Sequence, residues 1–167
     1  LLPSKAYDES LNDNSAYEEP FAGQKYPKFP HDLPELLKEN GKGLIKATPY
    51  GNSLTKDMAI AAIEGEGLGE DIHTDLLAVS FSSPDYVGHQ FGTDSKEIQD
   101  TYLRLDRDLA SFLSYLDDQI GKENVLVFLT ADHGAVRTPS YLKDRKIPAG
   151  YFEAEEPIRA LKQFLQN

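Results

Sequence analysis

Two pairs of acidic and imidazole side chains are the residues of this chain whose types and spacing suit chemistry. Asp85 and His89 lie four positions apart, and Asp132 is followed directly by His133. Carboxylate oxygen together with imidazole nitrogen is a common ligand set for Zn²⁺, and it also suits Mn²⁺ or iron. The two pairs therefore predict a site for divalent metal ions.

Each of these residues also has an ordinary structural interpretation when it is taken alone. Asp85 follows Pro84 and is of the type that forms turns, and a single His89 could be a half-buried hydrogen-bonding residue. The presence of two such pairs favours metal binding over these alternatives. Gly88 and Gly134 lie beside the pairs, and we expect them to permit close backbone approach or a positive φ at a crowded site.

The elements that would position the two pairs form a βαβ unit. Apolar runs over residues 75–82 and 125–130 predict strands buried on both faces. Between them, apolar side chains recur every three or four positions over residues 95–120, which predicts an amphipathic helix capped by Asp94 and ended by Gly121. Parallel strands joined by such a crossover end at one edge of the sheet, where ligands gather. We therefore expect the two pairs to converge there.

The predicted stripe of this long helix comprises Ile98, Tyr102, Leu105, Leu109, Phe112, Leu116 and Ile120. The other elements are predicted from caps, breakers and short apolar runs. They are an irregular arm over residues 1–30, a short helix from Asp32 to Asn40-Gly41, a loop over 44–54, a helix over 55–63 and a final helix starting near Pro157.

Composition excludes several classes of function. The 167 residues include 17 Lys and Arg against 28 Asp and Glu, giving a net charge of −11. Nucleic acid is therefore excluded as the main partner, because binding its backbone needs a basic face. No apolar run reaches the roughly 20 residues of a membrane span. The absence of cysteine rules out disulfides, a thiol nucleophile and a cysteine zinc site.

The sequence Asp-Tyr-Val-Gly-His-Gln-Phe-Gly over residues 85–92, followed by Thr-Ala-Asp-His-Gly over 130–134, resembles the alkaline phosphatase superfamily. The similarity is greatest to its nucleotide pyrophosphatase/phosphodiesterase branch and to the phosphate-irrepressible alkaline phosphatases. The resemblance implies an α/β fold of three layers, α/β/α, around a mostly parallel sheet, of which this chain holds a part. Residues 44–167 would be a partial metallohydrolase core. Residues 1–43 would be an irregular arm and short helix that belong to a cap region, with a solvated connector as the alternative.

The resemblance also implies the roles of the site residues. Asp85 and His89 would bind one zinc ion, and Asp132 and His133 a second. In the family a Thr or Ser attacks phosphorus, but that nucleophile, a further Asp and a third His are not identifiable here. We therefore expect an excised segment of a longer enzyme, with no catalytic nucleophile, weak or absent zinc binding and no activity by itself.

Several other residues are interpreted as structural. His31 and His73 are predicted to be ordinary surface or loop residues, and Thr48 and Thr55 to be helix caps, not nucleophiles. The glycine-rich segment over residues 64–71 is not interpreted as a phosphate-binding loop, because its acidic side chains would repel phosphate and it precedes a strand.

The function that the resemblance implies is hydrolysis of small-molecule phosphate esters, with monoesters as the first choice and diesters or nucleotide pyrophosphates as the second. Sulfate ester hydrolysis and phosphate transfer by a mutase are further alternatives within the superfamily. A non-catalytic interaction module is the alternative from another class. The resemblance further implies a periplasmic or secreted enzyme. Substrate identity and oligomeric state stay open at this point.

Overall fold

A computed structural model describes residues 2–13, 16–152 and 154–166 of the chain. It divides into two compact units, Leu1–Val136 and Arg137–Asn167. The first unit contains four α-helices, and the second contains two. They are α1 (Leu33–Asn40), α2 (Pro49–Glu66), α3 (Ser83–Phe91), α4 (Lys96–Leu116), α5 (Pro139–Asp144) and α6 (Glu155–Leu165).

Helix α1 confirms the capping signals in the sequence. The Asp32 side chain accepts a hydrogen bond from the backbone N–H of Glu35, and Gly41 ends the helix at a φ of 70°. These two contacts satisfy backbone groups that a short helix otherwise leaves unpaired. Leu36 is buried in a hydrophobic cluster, and Leu33 and Leu37 pack against it, as the spacing of these leucines predicts.

Helix α2 begins six residues earlier than predicted, so the loop assigned to residues 44–54 is wrong. Lys42–Ala47 forms a 3-10 helix and α2 starts at Pro49, where the fixed φ of proline suits a first helical residue. Gly51 and Asn52 obscured this start, because both have low helix propensity. Gly51 is needed for packing, since a Cβ there would collide with the Ser83 hydroxyl of α3.

Both threonines near this start differ from their predicted role as side-chain caps. Thr48 occupies the N-cap position of α2, but its side chain makes no capping hydrogen bond and donates instead to the carbonyl of Ile45. Thr55 lies inside the helix and donates to the carbonyl of Gly51. Neither hydroxyl is placed as a nucleophile would be.

Helix α4 is the predicted long helix, with small corrections. Its cap is Ser95, whose side chain accepts from the N–H of Ile98, and not Asp94. It runs into a π-helical turn, Asp117–Gly121, and Gly121 has a φ of 94°. Tyr102 of the predicted stripe is exposed, because polar residues occupy the buried positions of the first turns. These buried polar residues are Glu97, Asp100 and Thr101.

The core of the first unit consists of two hydrophobic clusters. The first joins the N-terminal arm to α3 and α4 and contains Phe21, Leu36, Leu44, Val87, Phe91 and Ile98. The second joins α2 to α4 and contains Ala59, Ile63, Phe112 and Leu116. Helices α2 and α3 therefore both pack on α4, which is the central support of the unit.

The N-terminal arm packs against the α3–α4 junction through backbone hydrogen bonds. The N–H of Glu19 donates to the carbonyl of Gln90 at 2.8 Å, and the N–H of Leu11 donates to the carbonyl of Asp94 at 2.7 Å. The arm contains a 3-10 helix, Ser4–Tyr7, and is otherwise irregular, as predicted. Its function as part of a cap region stays a prediction.

The two predicted strands do not form a sheet within this chain. Residues 75–82 and 125–130 contain no helix, and no β-strand occurs over the described ranges 2–13, 16–152 and 154–166. A strand is defined by hydrogen bonds to a neighbouring strand, and neither segment has such a neighbour in the described part of the chain. The parallel sheet of the predicted α/β/α fold is therefore unconfirmed.

The second unit contains two helices, one of which was predicted. Helix α6 confirms the helix expected near Pro157, and it places Ile158, Leu161 and Leu165 at positions where each is half exposed or more. Helix α5 carries Tyr141, whose ring lies 3.5 Å from the Arg145 guanidinium carbon. No helix in the part of the chain that the structure describes is long and apolar enough to cross a membrane.

Truncating Phe91 tests the importance of the first cluster. Phe91 is 2% exposed, so we expect Phe91→Ala to lower the free energy of unfolding by about 3–5 kcal/mol through lost burial and the cavity left behind. Urea denaturation followed by circular dichroism measures this change. The matched control is Phe128→Ala in the same unit, because Phe128 is 82% exposed and its loss should change stability by no more than about 0.5 kcal/mol. Equal effects of the two substitutions would contradict the assignment of the core.

Candidate metal centre

Helix α3 presents the first pair of candidate ligands on one of its two faces. Asp85 and His89 are four residues apart on the helix and therefore share a face. Their side chains are 46% and 79% exposed. Val87 and Phe91 lie on the other side and are almost fully buried. The buried face fixes the helix against α4, and this fixes the direction in which the acid–imidazole pair points.

The sequence gave no indication of α3 itself. Its residues include Gly88 and lie next to Pro84 and Gly92, so intrinsic helix propensity is low. Pro84 falls in the first turn, where proline is tolerated, and Asp85 is acidic in that turn, which is favourable beside the positive end of the helix dipole. Tertiary burial of the opposite face supplies the rest of the stability.

The structure brings the second pair next to the first. The distance from His133 Nε2 to Asp85 Oδ1 is 3.8 Å, and that from His133 Nε2 to Asp132 Oδ2 is 3.6 Å. Within the first pair, His89 Nε2 lies 3.4 Å from Asp85 Oδ1. All four predicted residues therefore lie in one region of the surface, with His133 between the two carboxylates.

These separations fit ligand atoms of a shared metal ion better than direct hydrogen bonds. Hydrogen bonds between nitrogen and oxygen are usually about 2.7–3.2 Å long. Two ligand atoms bound tetrahedrally to Zn²⁺ at about 2.0–2.2 Å lie roughly 3.3–3.6 Å apart. The pairs thus suit a divalent metal in spacing and in chemistry. Across the described residues, however, no group of three or more His, Cys, Asp and Glu side chains could hold a metal ion.

The His133 ring is oriented by a backbone contact. Its Nδ1 lies 3.0 Å from the carbonyl oxygen of Gly134. A carbonyl only accepts, so Nδ1 carries the proton and donates, which leaves Nε2 available toward Asp85 and Asp132. Metal-binding histidines are commonly oriented by such a contact of the second ring nitrogen.

The same surroundings change the proton affinity of this imidazole. The hydrogen bond to the Gly134 carbonyl raises the pKa of His133 above its usual value, and the nearby negative charges of Asp132 and Asp85 raise it further. Each of these contacts favours the protonated ring.

Gly88 and Gly134 do not have the role expected from the sequence. Neither has a positive φ. A Cβ on Gly88 would meet only Ile98 Cδ1, at an ordinary 3.8 Å, and a Cβ on Gly134 would meet nothing within 4 Å. The two glycines are therefore not required by crowding among the described residues.

A second group of polar side chains lies behind α3 and was not found by sequence reasoning. His31, interpreted as a surface residue, is buried, and its Nε2 lies 2.9 Å from Glu97 Oε1. Its ring packs against Phe21 and Phe91. The interpretation of His31 was wrong because the contact joins residues far apart in the chain, which leaves no local signal. His73 is exposed, as predicted.

Comparison with known proteins identifies the family. Residues 3–162 match the model of the type I phosphodiesterase/nucleotide pyrophosphatase family. The chain belongs to this family, and the resemblance to the alkaline phosphatase superfamily is confirmed.

Individual relatives agree with this assignment. The chain is 51% identical over 154 residues to the alkaline phosphatase PafA of Elizabethkingia meningoseptica, covering 91% of this chain and 28% of that protein. It is 55% identical over 169 residues to a Myroides odoratus protein named calcium-transporting ATPase, covering 100% of this chain and 31% of that protein. The chain spans about a third of the length of the curated relatives it matches.

A solved structure shows the same fold. The crystal structure of wild-type PafA superimposes with a TM-score of 0.88 at 50% identity, covering 98% of this chain and 32% of that chain. The described elements are therefore arranged as in part of an alkaline phosphatase.

The charge environment of His133 can be measured directly. We expect its pKa, followed by NMR titration of the ring protons, to lie above the usual histidine value and to fall in Asp132→Asn, because that substitution removes one neighbouring negative charge. Asp118→Asn makes the same change of charge beyond the far end of α4, roughly 30 Å along the helix from its first turn, and should leave the value unaltered. An unchanged pKa in Asp132→Asn would contradict the observed arrangement.

Proposed function

We propose that this chain supplies four metal ligands to the active centre of a phosphoric ester hydrolase that acts on phosphomonoesters. The observation that carries the proposal is the approach of the two pairs, with His133 Nε2 3.8 Å from Asp85 Oδ1. Two-metal hydrolases hold their ions about 3.5–4 Å apart, so ligand pairs at this separation suit neighbouring ions. The named alkaline phosphatase relatives support the substrate class.

In this proposal each pair belongs to one ion. Asp85 and His89 on α3 hold the first, and Asp132 and His133 hold the second. When bound, two divalent ions, with zinc as the proposed identity, lower the pKa of the nucleophile and stabilise charge on the leaving oxygen. The protein fixes the ligand directions through the buried face of α3 and through the hydrogen bond from His133 to Gly134.

Electrostatics also supports a requirement for cations. The chain has a net charge of −11, and two carboxylates flank His133 at the site. A phosphate ester would be repelled from these side chains unless bound positive charge reversed the local potential. Holding cations is therefore the first task of Asp85 and Asp132 in binding substrate.

The rest of the centre is proposed to lie in other parts of a longer enzyme. The chain spans about a third of its relatives' length, and four ligands that meet as pairs do not complete two coordination shells. The Thr or Ser nucleophile, a further Asp and a third His would come from the remainder. We infer that the isolated chain binds zinc weakly and lacks hydrolase activity.

The same reasoning supports the parallel sheet of an α/β/α fold. Val79 and Val125 pack against the helical core, whereas Leu76, Leu126 and Phe128 are at least 79% exposed. Helices thus cover one side of each predicted strand and nothing among the described residues covers the other. Apolar rows of this kind are typical of strands that pair and are covered on both faces.

A second candidate is hydrolysis of phosphodiesters or nucleotide pyrophosphates. The match to the type I phosphodiesterase/nucleotide pyrophosphatase family over residues 3–162 favours it. Comparing rates on a phenyl phosphate monoester and on the corresponding diester would distinguish the two candidates. A non-catalytic module with the same fold is the alternative if neither ester is cleaved. Location in the periplasm or outside the cell remains part of the proposal.

Removing the central histidine tests metal binding. In the longer enzyme that carries this chain, we expect calorimetric titration with zinc chloride to show two sites, and His133→Ala to weaken one of them at least about 10-fold by loss of a ligand. His73→Ala is the matched control, because His73 is exposed and lies outside the two pairs. Two unaltered sites in His133→Ala would exclude this histidine as a ligand.

Removing a carboxylate tests the chemistry. We expect Asp132→Ala in the same longer enzyme to lower the turnover of para-nitrophenyl phosphate at least about 10²-fold, because the charge that holds one cation is lost. The isolated chain should show no turnover. Zinc-dependent, saturable hydrolysis by the isolated chain would refute the inference that the nucleophile lies elsewhere.

A further inference from the structure

A cavity of about 290 Å³ lies on the side of α3 opposite to Asp85 and His89. Its wall is built by the N-terminal arm, the start of α2, the buried face of α3 and the first turns of α4. Aromatic rings form one part of the wall and charged side chains form another. The residues that matter here are Phe21, Phe29, Phe91, Glu97, Asp100 and Arg104.

One of the acidic groups in this wall is fully satisfied. Asp100 accepts a hydrogen bond from the Tyr7 hydroxyl at 2.7 Å through Oδ1, and one from Arg104 Nε at 2.8 Å through Oδ2. The positive charge of Arg104 is therefore balanced by Asp100, and neither group is left to recognise a charged ligand.

Glu97 is different, because only one of its two oxygens has a partner. Oε1 meets His31 Nε2 at 2.9 Å, while Oε2 is buried and has no hydrogen-bond partner among the described residues. The side chain is 6% exposed. Leaving a buried charged acceptor unpaired is costly, so this oxygen points to a missing donor.

The apolar part of the cavity suits a small aromatic or aliphatic body. The rings of Phe21 and Phe91 contact each other edge to face, with centroids 5.1 Å apart, and both belong to the hydrophobic core. A closed cavity of about 150 Å³ is enough to hold benzene. The volume of about 290 Å³ therefore leaves room for one ring and a short polar group.

We propose that this cavity is a binding site for a small organic cation, a primary ammonium carried on an apolar body, with the ammonium group donating to Glu97. An ammonium supplies the missing donor and the opposite charge, and aromatic ring faces attract cations. An anion would be repelled by Glu97. A bare metal ion would need several oxygen ligands, whereas Glu97 offers one unpaired oxygen among aromatic rings.

The site does not depend on the proposed hydrolase activity. Val87 and Phe91 line the cavity from α3, whereas the metal-ligand pair of this helix lies on its other face. A ligand in the cavity would therefore leave the acid–imidazole pairs accessible, and its binding can be measured without metal or substrate.

The experiment compares two probes of nearly equal shape at neutral pH. We expect benzylamine, which is then a cation, to bind to the protein at least about 10-fold more tightly than neutral benzyl alcohol, as measured by NMR chemical-shift changes. Glu97→Gln should abolish this preference. Glu123→Gln removes the same charge from an exposed position and should retain it. Equal affinity for both probes, or no binding of benzylamine, would overturn the proposal.

A second variant decides the case in which Glu97→Gln fails to fold. Ala47 lines the cavity, so Ala47→Leu narrows it while leaving Glu97 and His31 in place. We expect this variant to lose benzylamine binding at least about 10-fold. Undiminished affinity in a folded Ala47→Leu protein would show that benzylamine binds elsewhere and would equally overturn the proposal.

Discussion

The burial of one face of α3 against the core is the constraint on which the candidate metal centre depends. Val87 and Phe91 are nearly inaccessible to solvent, and their packing against Ile98 of α4 sets the rotation of the helix. Asp85 and His89 point toward the second pair only because that rotation is fixed. The hydrophobic effect thus determines the geometry of groups that are themselves exposed.

The same helix separates two regions of different character. On one face lie carboxylates and imidazoles with much of their surface in water. On the other lies a cavity in which Glu97 and Asp100 are buried among aromatic rings. Water screens charges on the first face, whereas the low dielectric of the second strengthens each contact there and makes an unpaired oxygen costly.

Local signals in the sequence predicted α1 and α4 well. Their caps, glycine stops and 3.6-residue periodicity are properties of neighbouring residues, and the structure departs from them at Asp94 and Tyr102. The segment that became α3 was not predicted as a helix, because its glycines disfavour one and the stabilising contacts come from elsewhere in the chain.

The candidate ligands were identifiable because residue type and order are visible without any structure. Their mutual distances were not, since these depend on packing between segments far apart in sequence. The same limit explains the misassigned His31, whose partner Glu97 lies 66 positions away. The predicted sheet fails to appear for a related reason, because strand pairing needs a neighbour that the described residues do not contain.

The arm's attachment to the α3–α4 junction has a mechanical consequence. The backbone of Glu19 bonds to Gln90, and that of Leu11 bonds to Asp94, so the arm bridges the short connection between the two helices as a splint bridges a joint. Gln90 directly follows His89. A pull on the arm, from a neighbouring domain or an altered loop length, would thus be transmitted through one peptide unit to an imidazole of the metal centre.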